Sequence, residues 1–209
     1  MVPKIKITKS FYDTKTANRR LRELILYVAH RCQDDINYGA IKLNKILYFA
    51  DFQSYVRLGK PITGSEYMKL THGPVPRQMK PVLDGMIRDQ ELVCQQRDRF
   101  GKLQHRYIPL RCPDLDDFKA SEISLVDEII EEARPYNGAE LSSISHNRAW
   151  RIADERATIP YEAAYLSDEP VTELDIQLTK LLFDRRYEAK RDGPNRTLAR
   201  SRSGVREGI

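Results

Sequence analysis

Cysteine is scarce in this chain: Cys32, Cys94 and Cys112 are an odd number without a C-x-x-C pair, which excludes a disulfide framework and a zinc module of ordinary spacing. Free thiols in a reducing compartment follow. The four histidines, His30, His72, His105 and His146, are scattered and give no H-E-x-x-H or i, i+4 pair. His30 and Cys32, two apart on a helix, point apart. No metal site is expected. Long apolar runs are absent too, and nothing approaches the ~20 residues of a membrane span. The opening MVPKIKITKS is basic but leads into no apolar stretch, so it does not read as a secretory signal. A cytoplasmic protein without membrane partners is the expectation.

The motifs of common catalysis are missing as well. No G-x-S-x-G elbow occurs, Ser145 and His146 are merely sequence neighbours, and GKPITG lacks the spacing of a phosphate-wrapping loop. Neither a nucleophile nor a catalytic acid can be nominated, and no cofactor is implied. The formal net charge of +5 permits an acidic partner. Its excess sits at the ends: Lys4, Lys6 and Lys9 stand without an acid, and after Lys190 come Arg191, Arg196, Arg200, Arg202 and Arg206 against Asp192 and Glu207. The balanced middle argues against a dedicated nucleic-acid fold. Nucleic-acid binding would rest on the Arg-rich tail, touching phosphates without reading sequence.

What is present is a chain of 209 residues, 41% hydrophobic and 31% charged, suited to one domain with appendages. The organising stretch is Ile41 to Phe52, IKLNKILYFADF. At 100° per residue, Lys42, Lys45, Gln53 and Arg57 fall on one side, read as the wet one. Asn44, Tyr48, Asp51 and Tyr55 form a stripe on the opposite side, flanked by Leu43, Leu47 and Ala50 on one edge and Ile41 and Phe52 on the other. The stripe is expected to face inward. An unpaired buried polar group costs roughly 1–3 kcal/mol, so something must meet those tips. Either they form a satisfied network that fixes the helix among its neighbours, or they line a cleft that receives a partner.

Around this helix the periodicities read as a mainly α, α+β fold: a compact helical domain around a buried central helix, with a small antiparallel hairpin or sheet. Residues 1–16 are an extension that adds an edge strand or stays loose. Leu21, Leu24, Ile25, Val28, Ala29 and Cys32 mark one face of a core helix over Ala17 to Cys32. Tyr67 to Leu70 reads as short strand or coil, and prolines hold Gly73 and Val75 extended. The next helix starts near Gln78, runs to about Gln90, and buries Met79, Val82, Leu83, Met86 and Ile87. Leu92 to Gln95 and Leu103 to Pro109 form a hairpin about Gly101. Ser121 is expected to cap a helix carrying Ile123, Val126, Ile129, Ile130 and Ala133, with Glu122, Asp127, Glu131 and Glu132 on its solvated side. Shorter helices follow over 140–145 and 148–155, with Trp150 as a core anchor. Thr172 and Asp175 resemble a capping box opening a last helix. The domains are thus 1–16, a helical domain 17–170, a helix 171–190, and an Arg-rich tail 191–209 expected to be disordered.

The order KLNKILYFADF, GKPITGSEY, HGPVP, a hairpin, ELSSISHNRAW and IPYEAAYLSDE resembles the Panacea-domain family, also called the SocA-like antitoxin or GepA phage-associated family, over Leu43 to Asp168. The resemblance implies a mostly helical domain with a small sheet, encoded beside a toxin gene and binding that protein toxin. It also implies, from at least one member, an adaptor that hands its toxin to a ClpXP-type protease. Family residues fall on Lys42, Leu43, Lys45, Tyr48, Asp51, Gly64, Tyr67, Gly73, Pro74, Val75 and Trp150, and no catalytic set transfers. The first helix and the C-terminal extension lie outside the pattern, where toxin choice is expected to be encoded. Candidate contacts to a partner are Tyr55, Tyr67, Arg77 and Phe100. A rival reading is a small-molecule enzyme with a cleft lined by Asn44, Asp51 and His72, which requires those three side chains to meet.

Overall fold

The computed structural model describes residues 11–99 and 101–166, together with Gln177. The expected capping box at Thr172, the last helix, the Arg-rich tail, the extension before residue 11, Phe100 and the domain limits at 170 and 190 lie outside the described residues.

The fold is α+β and mainly helical. Helix α1 (Thr14–Arg31) begins where Asp13 accepts a hydrogen bond from the Thr16 amide at 2.9 Å, which satisfies one of the free N–H groups of the first turn. Leu21, Leu24, Ile25, Val28 and Ala29 are buried on it, as their spacing predicts. Helix α2 (Ala40–Leu58) follows and ends at Gly59, whose φ of +79° is the left-handed cap that glycine adopts without strain.

After α2, strands β1 (Tyr67–Leu70) and β2 (Gly73–Pro76) pair antiparallel, Tyr67 opposite Pro76 and Leu70 opposite Gly73. The segment held extended by its prolines is therefore a strand. Pro74 and Pro76 fit because β2 is an edge, where a missing N–H costs least. The far side of β1 is taken by β5 (Thr158–Ile159). Helix α3 (Met79–Arg88) starts late enough to put Pro81 in its first turn. Strands β3 (Leu92–Arg99) and β4 (Lys102–Pro109) make a second sheet of two strands, four residues longer on the β3 side than expected. Helices α4 (Ala120–Ala133), α5 (Gly138–Ser145) and α6 (Arg148–Ile152) precede β5, and a 3-10 turn (Tyr161–Tyr165) follows it.

One apolar core joins α1, α2, α3, α4 and Leu92, and a second, largely aromatic one joins Tyr48, Phe52, Tyr67 and Tyr161. Helix α2 contributes to both, which is why so little of it reaches water.

Several expectations need correction. Lys42 and Lys45, placed on a wet face, are each only 1% exposed, because α2 is packed on nearly all sides and their apolar stems fill space as leucine would. Ile41, expected inside, is 43% exposed. Glu122 is buried rather than solvated: Arg20 reaches it at 2.9 Å, and its Oε2 also accepts from the Lys119 amide at 2.9 Å. That second bond caps α4 at Lys119, so Ser121 is not the cap. Ile87, near the end of α3, is 41% exposed, and Trp150 is only half-buried.

Candidate functional site

Of the α2 stripe, Tyr48 and Asp51 are fully enclosed, whereas Asn44 and Tyr55 are half-buried. Asp51, at 0% exposure, accepts hydrogen bonds from the Thr63 amide at 2.6 Å, from the Thr63 hydroxyl, from Tyr67 Oη at 2.9 Å, and over a longer 3.4 Å from Tyr161 Oη. The two tyrosine hydroxyls have second acceptors in Leu47 O at 2.8 Å and Ser65 O at 2.6 Å. Burial pushes the Asp51 carboxyl up to about 6, against the pull of its hydrogen bonds to Thr63 and Tyr67. Burial and the neighbouring Asp51 hold the Tyr67 and Tyr161 phenols well above their ordinary value. The stripe is thus a satisfied network at its centre, tying α2 to the 62–67 segment and the 3-10 turn. Gly64, with φ of +69°, lets that segment bend beneath Asp51.

The lysines of α2 are treated differently from each other. Lys42 Nζ meets Asp35 at 2.6 Å, Tyr136 O at 2.8 Å and Arg134 O at 3.2 Å, so all three of its N–H donors have partners. Among the described residues no carboxylate pairs with Lys45 Nζ, and its hydrogen bond to Pro74 O is long at 3.4 Å. Burial alone depresses its amine to about 7. It lies under the β1–β2 turn, where Gly73 has φ of +98°. A β-carbon at Gly73 would collide with Lys45 Nζ and with Ser145 Oγ, so glycine is required there for two reasons.

Beside this turn opens a groove of about 840 Å³. Its walls are the first turns of α2 and α5, the start of β4 with Leu103, Gln104 and His105, and His72 and His146. The α5 turn is built by Asn137, whose Oδ1 accepts from the Ala139 amide at 2.9 Å and the Glu140 amide at 3.1 Å, while Glu140 accepts from the Asn137 amide at 2.7 Å. That N-x-x-E capping box was available in the sequence. His146 stacks on Trp150 with centroids 3.8 Å apart, and Trp150 Nε1 donates to Leu70 O at 3.0 Å. Burial, with Lys45 and His72 nearby, lowers the His146 imidazole from its ordinary value. Its Nε2 is buried and meets no hydrogen-bond partner among the described residues. An orphan of that kind costs roughly 1–3 kcal/mol until a ligand or water bonds it.

The candidate contact residues divide accordingly. Tyr67 is 1% exposed, with its hydroxyl spent internally, so it cannot touch a partner and is corrected to a core residue. Tyr55 is half-buried against Phe11, Tyr161 and Tyr165. Arg77 is exposed and donates to Thr158 Oγ1 at 3.0 Å, beside the three-stranded sheet. Asn44, Asp51 and His72 do not come together: His72 lines the groove, while Asp51 is sealed and Asn44 lies outside its lining. The three-residue cleft of the enzyme reading is therefore not assembled. Ser142 and Ser145 spend their hydroxyls on the carbonyls of His72 and Ser142. Among the described residues no three His, Cys, Asp or Glu side chains gather as a metal would need, and no helix is long and apolar enough to cross a membrane.

These features define a small α+β domain whose buried polar residues hold a central helix in place, with an open groove beside the β1–β2 turn. The family model for the antitoxin SocA-like, Panacea domain matches residues 43–151, and the chain belongs to that family. No curated protein and no solved structure matches it. The matched span runs from the first turn of α2 into α6. It contains Asp51, strands β1 to β4, His146 and Trp150, and leaves α1 and β5 outside.

Proposed function

We propose that this protein is an antitoxin that neutralises a partner protein toxin by binding it directly. The observation that carries the reading is the antitoxin family match over residues 43–151. The geometry agrees with it: the sealed Asp51 network serves the fold, and the open groove offers a surface with hydrogen-bonding capacity to spare. Neutralisation requires a Kd below the cellular concentration of the partner, and ~1 nM corresponds to ~−12 kcal/mol. An interface of ~1,600 Å² reaches that figure when a few buried anchors carry the energy.

The test is co-expression with the product of the adjacent reading frame. That product should arrest growth when expressed alone, and this protein should relieve the arrest and co-purify with it. Arrest that persists at full expression of this protein, with no complex on purification, overturns the proposal.

A further inference from the structure

The tip of the β1–β2 hairpin is held from beneath. Strand β2 runs for four residues and, among the described residues, pairs only with β1. Three side chains tie the carbonyls of the tip, each from a different helix. Trp150 Nε1 of α6 donates to Leu70 O at 3.0 Å, Ser142 Oγ of α5 to His72 O, and Lys45 Nζ of α2 to Pro74 O over 3.4 Å. The last is the weakest by length. A β-carbon on Gly73 would collide with Lys45 Nζ and Ser145 Oγ, so the backbone lies directly on both groups. Lys45 is 1% exposed, sealed by the hairpin it supports.

The surroundings of this amine are basic. The charges that act on His146, at the C-terminal end of α5, are those of Lys45, His72 and Lys69, which share one sign when protonated. Lys69 is the only charged residue of β1; it lies 4.3 Å from the indole of Trp150, on which His146 also stacks. The charged residues of α6 are Arg148 and Arg151. The acids of α2 and α5 are engaged elsewhere: Asp51 is sealed by Thr63 and Tyr67, and Glu140 caps the far end of α5. Lys42, on the same helix, is neutralised by Asp35. Among the described residues, nothing on these elements compensates a charge on Lys45, and burial depresses its amine to about 7 from 10.5. With the hairpin lifted, water would solvate the ammonium and restore its ordinary value.

We propose that the tip of the β1–β2 hairpin is a proton-sensitive latch: it closes over Lys45 and lifts locally, with the helices still folded, as that amine takes up a proton. Lifting would bring Lys45 Nζ and Ser145 Oγ to the groove beside His72 and His146, which already line it. The device is independent of the antitoxin reading. Its sign follows from linkage. The lifted state binds the proton more tightly than the closed one, so lifting becomes rarer as pH rises from 7 to 9, and below 7 the Lys45 contribution is level.

The test is amide hydrogen exchange on the full chain at pH 7 and pH 9, each rate divided by the intrinsic rate of that amide at the same pH. At pH 7 the amides of residues 68–75 should be about tenfold or more less protected than the core amides of α1, the mark of local opening rather than global unfolding. By pH 9 their protection should rise about tenfold or more. In Lys45→Met, whose folding circular dichroism checks, that rise should shrink to about threefold or less. The unaltered chain decides the first point without any variant: protection of residues 68–75 that is level between the two pH values, or that equals the α1 core at both, overturns the latch. A rise still above about threefold in Lys45→Met overturns it as well, because the proton then acts on another group.

Discussion

Asp51 shows how a buried carboxylate can be necessary and costly together. It accepts from an amide and from as many as three hydroxyls, yet burial outweighs them and leaves its carboxyl at about 6 against an ordinary 3.8. The folded protein therefore holds this proton more tightly than the unfolded chain. By linkage, the Asp51 contribution to stability is greatest near pH 4, falls as pH rises through about 6, and is flat above. The span corresponds to about 3 kcal/mol at most. Asp51→Asn should abolish this component at modest cost, because the amide oxygen still accepts from Thr63 and the hydroxyls can turn to accept from its nitrogen. Asp51→Ala should cost about 2–4 kcal/mol, because it orphans the buried Thr63 amide and leaves a cavity where the carboxylate was. Urea denaturation of the three proteins between pH 4.5 and 7 measures both effects.

At the scale of the element, α2 shows what was legible and what was not. The 100° arithmetic turned Tyr48 and Asp51 inward because it depends only on helix geometry. It failed at Lys42 and Lys45 because residue type was used to choose the wet side, and a helix packed almost all round has no such side. Toward its C-terminal end the rule holds, and Arg57 is exposed with Glu128 at 2.8 Å. HGPVP was readable as extended, since that follows from proline alone, but its pairing as β2 was not. The pairing of β1 with β5 joins residues some ninety positions apart in a contact with no local signal. The groove is harder still, assembled from stretches near residues 40, 72, 104 and 140. The buried ion pair that α2 makes with Asp35 has no local signal either, and it carries its own prediction. Lys42→Met leaves Asp35 charged and enclosed and cuts the ties to Arg134 O and Tyr136 O, so it should destabilise by about 3–5 kcal/mol. Adding Asp35→Asn should recover much of that loss in a double-mutant cycle followed by urea denaturation.

For the whole molecule, the question is whether the buried motif residues serve the scaffold or the partner, and Lys45 separates the two. Its amine, near 7 against an ordinary 10.5, binds a proton less tightly in the folded state than in the unfolded chain. Its contribution to stability therefore rises with pH from about 7 towards 10.5, opposite in sign to that of Asp51. Above pH 9 the buried Cys32 thiol, pushed up to about 11 from 9.0, works against it, so the window to measure is pH 7 to 9. Lys45→Met keeps the stem and removes the charge; it should be more stable than the parent at pH 6–7 by a few kcal/mol, up to about 5, with the gap closing as pH rises. Lys45 lies beneath the turn and does not line the groove. The same substitution should therefore leave toxin affinity within about twofold. A Lys45→Met protein that gains stability but loses its partner would mean that the amine itself reaches the interface, and the line between scaffold and docking surface would have to be drawn deeper, through α2.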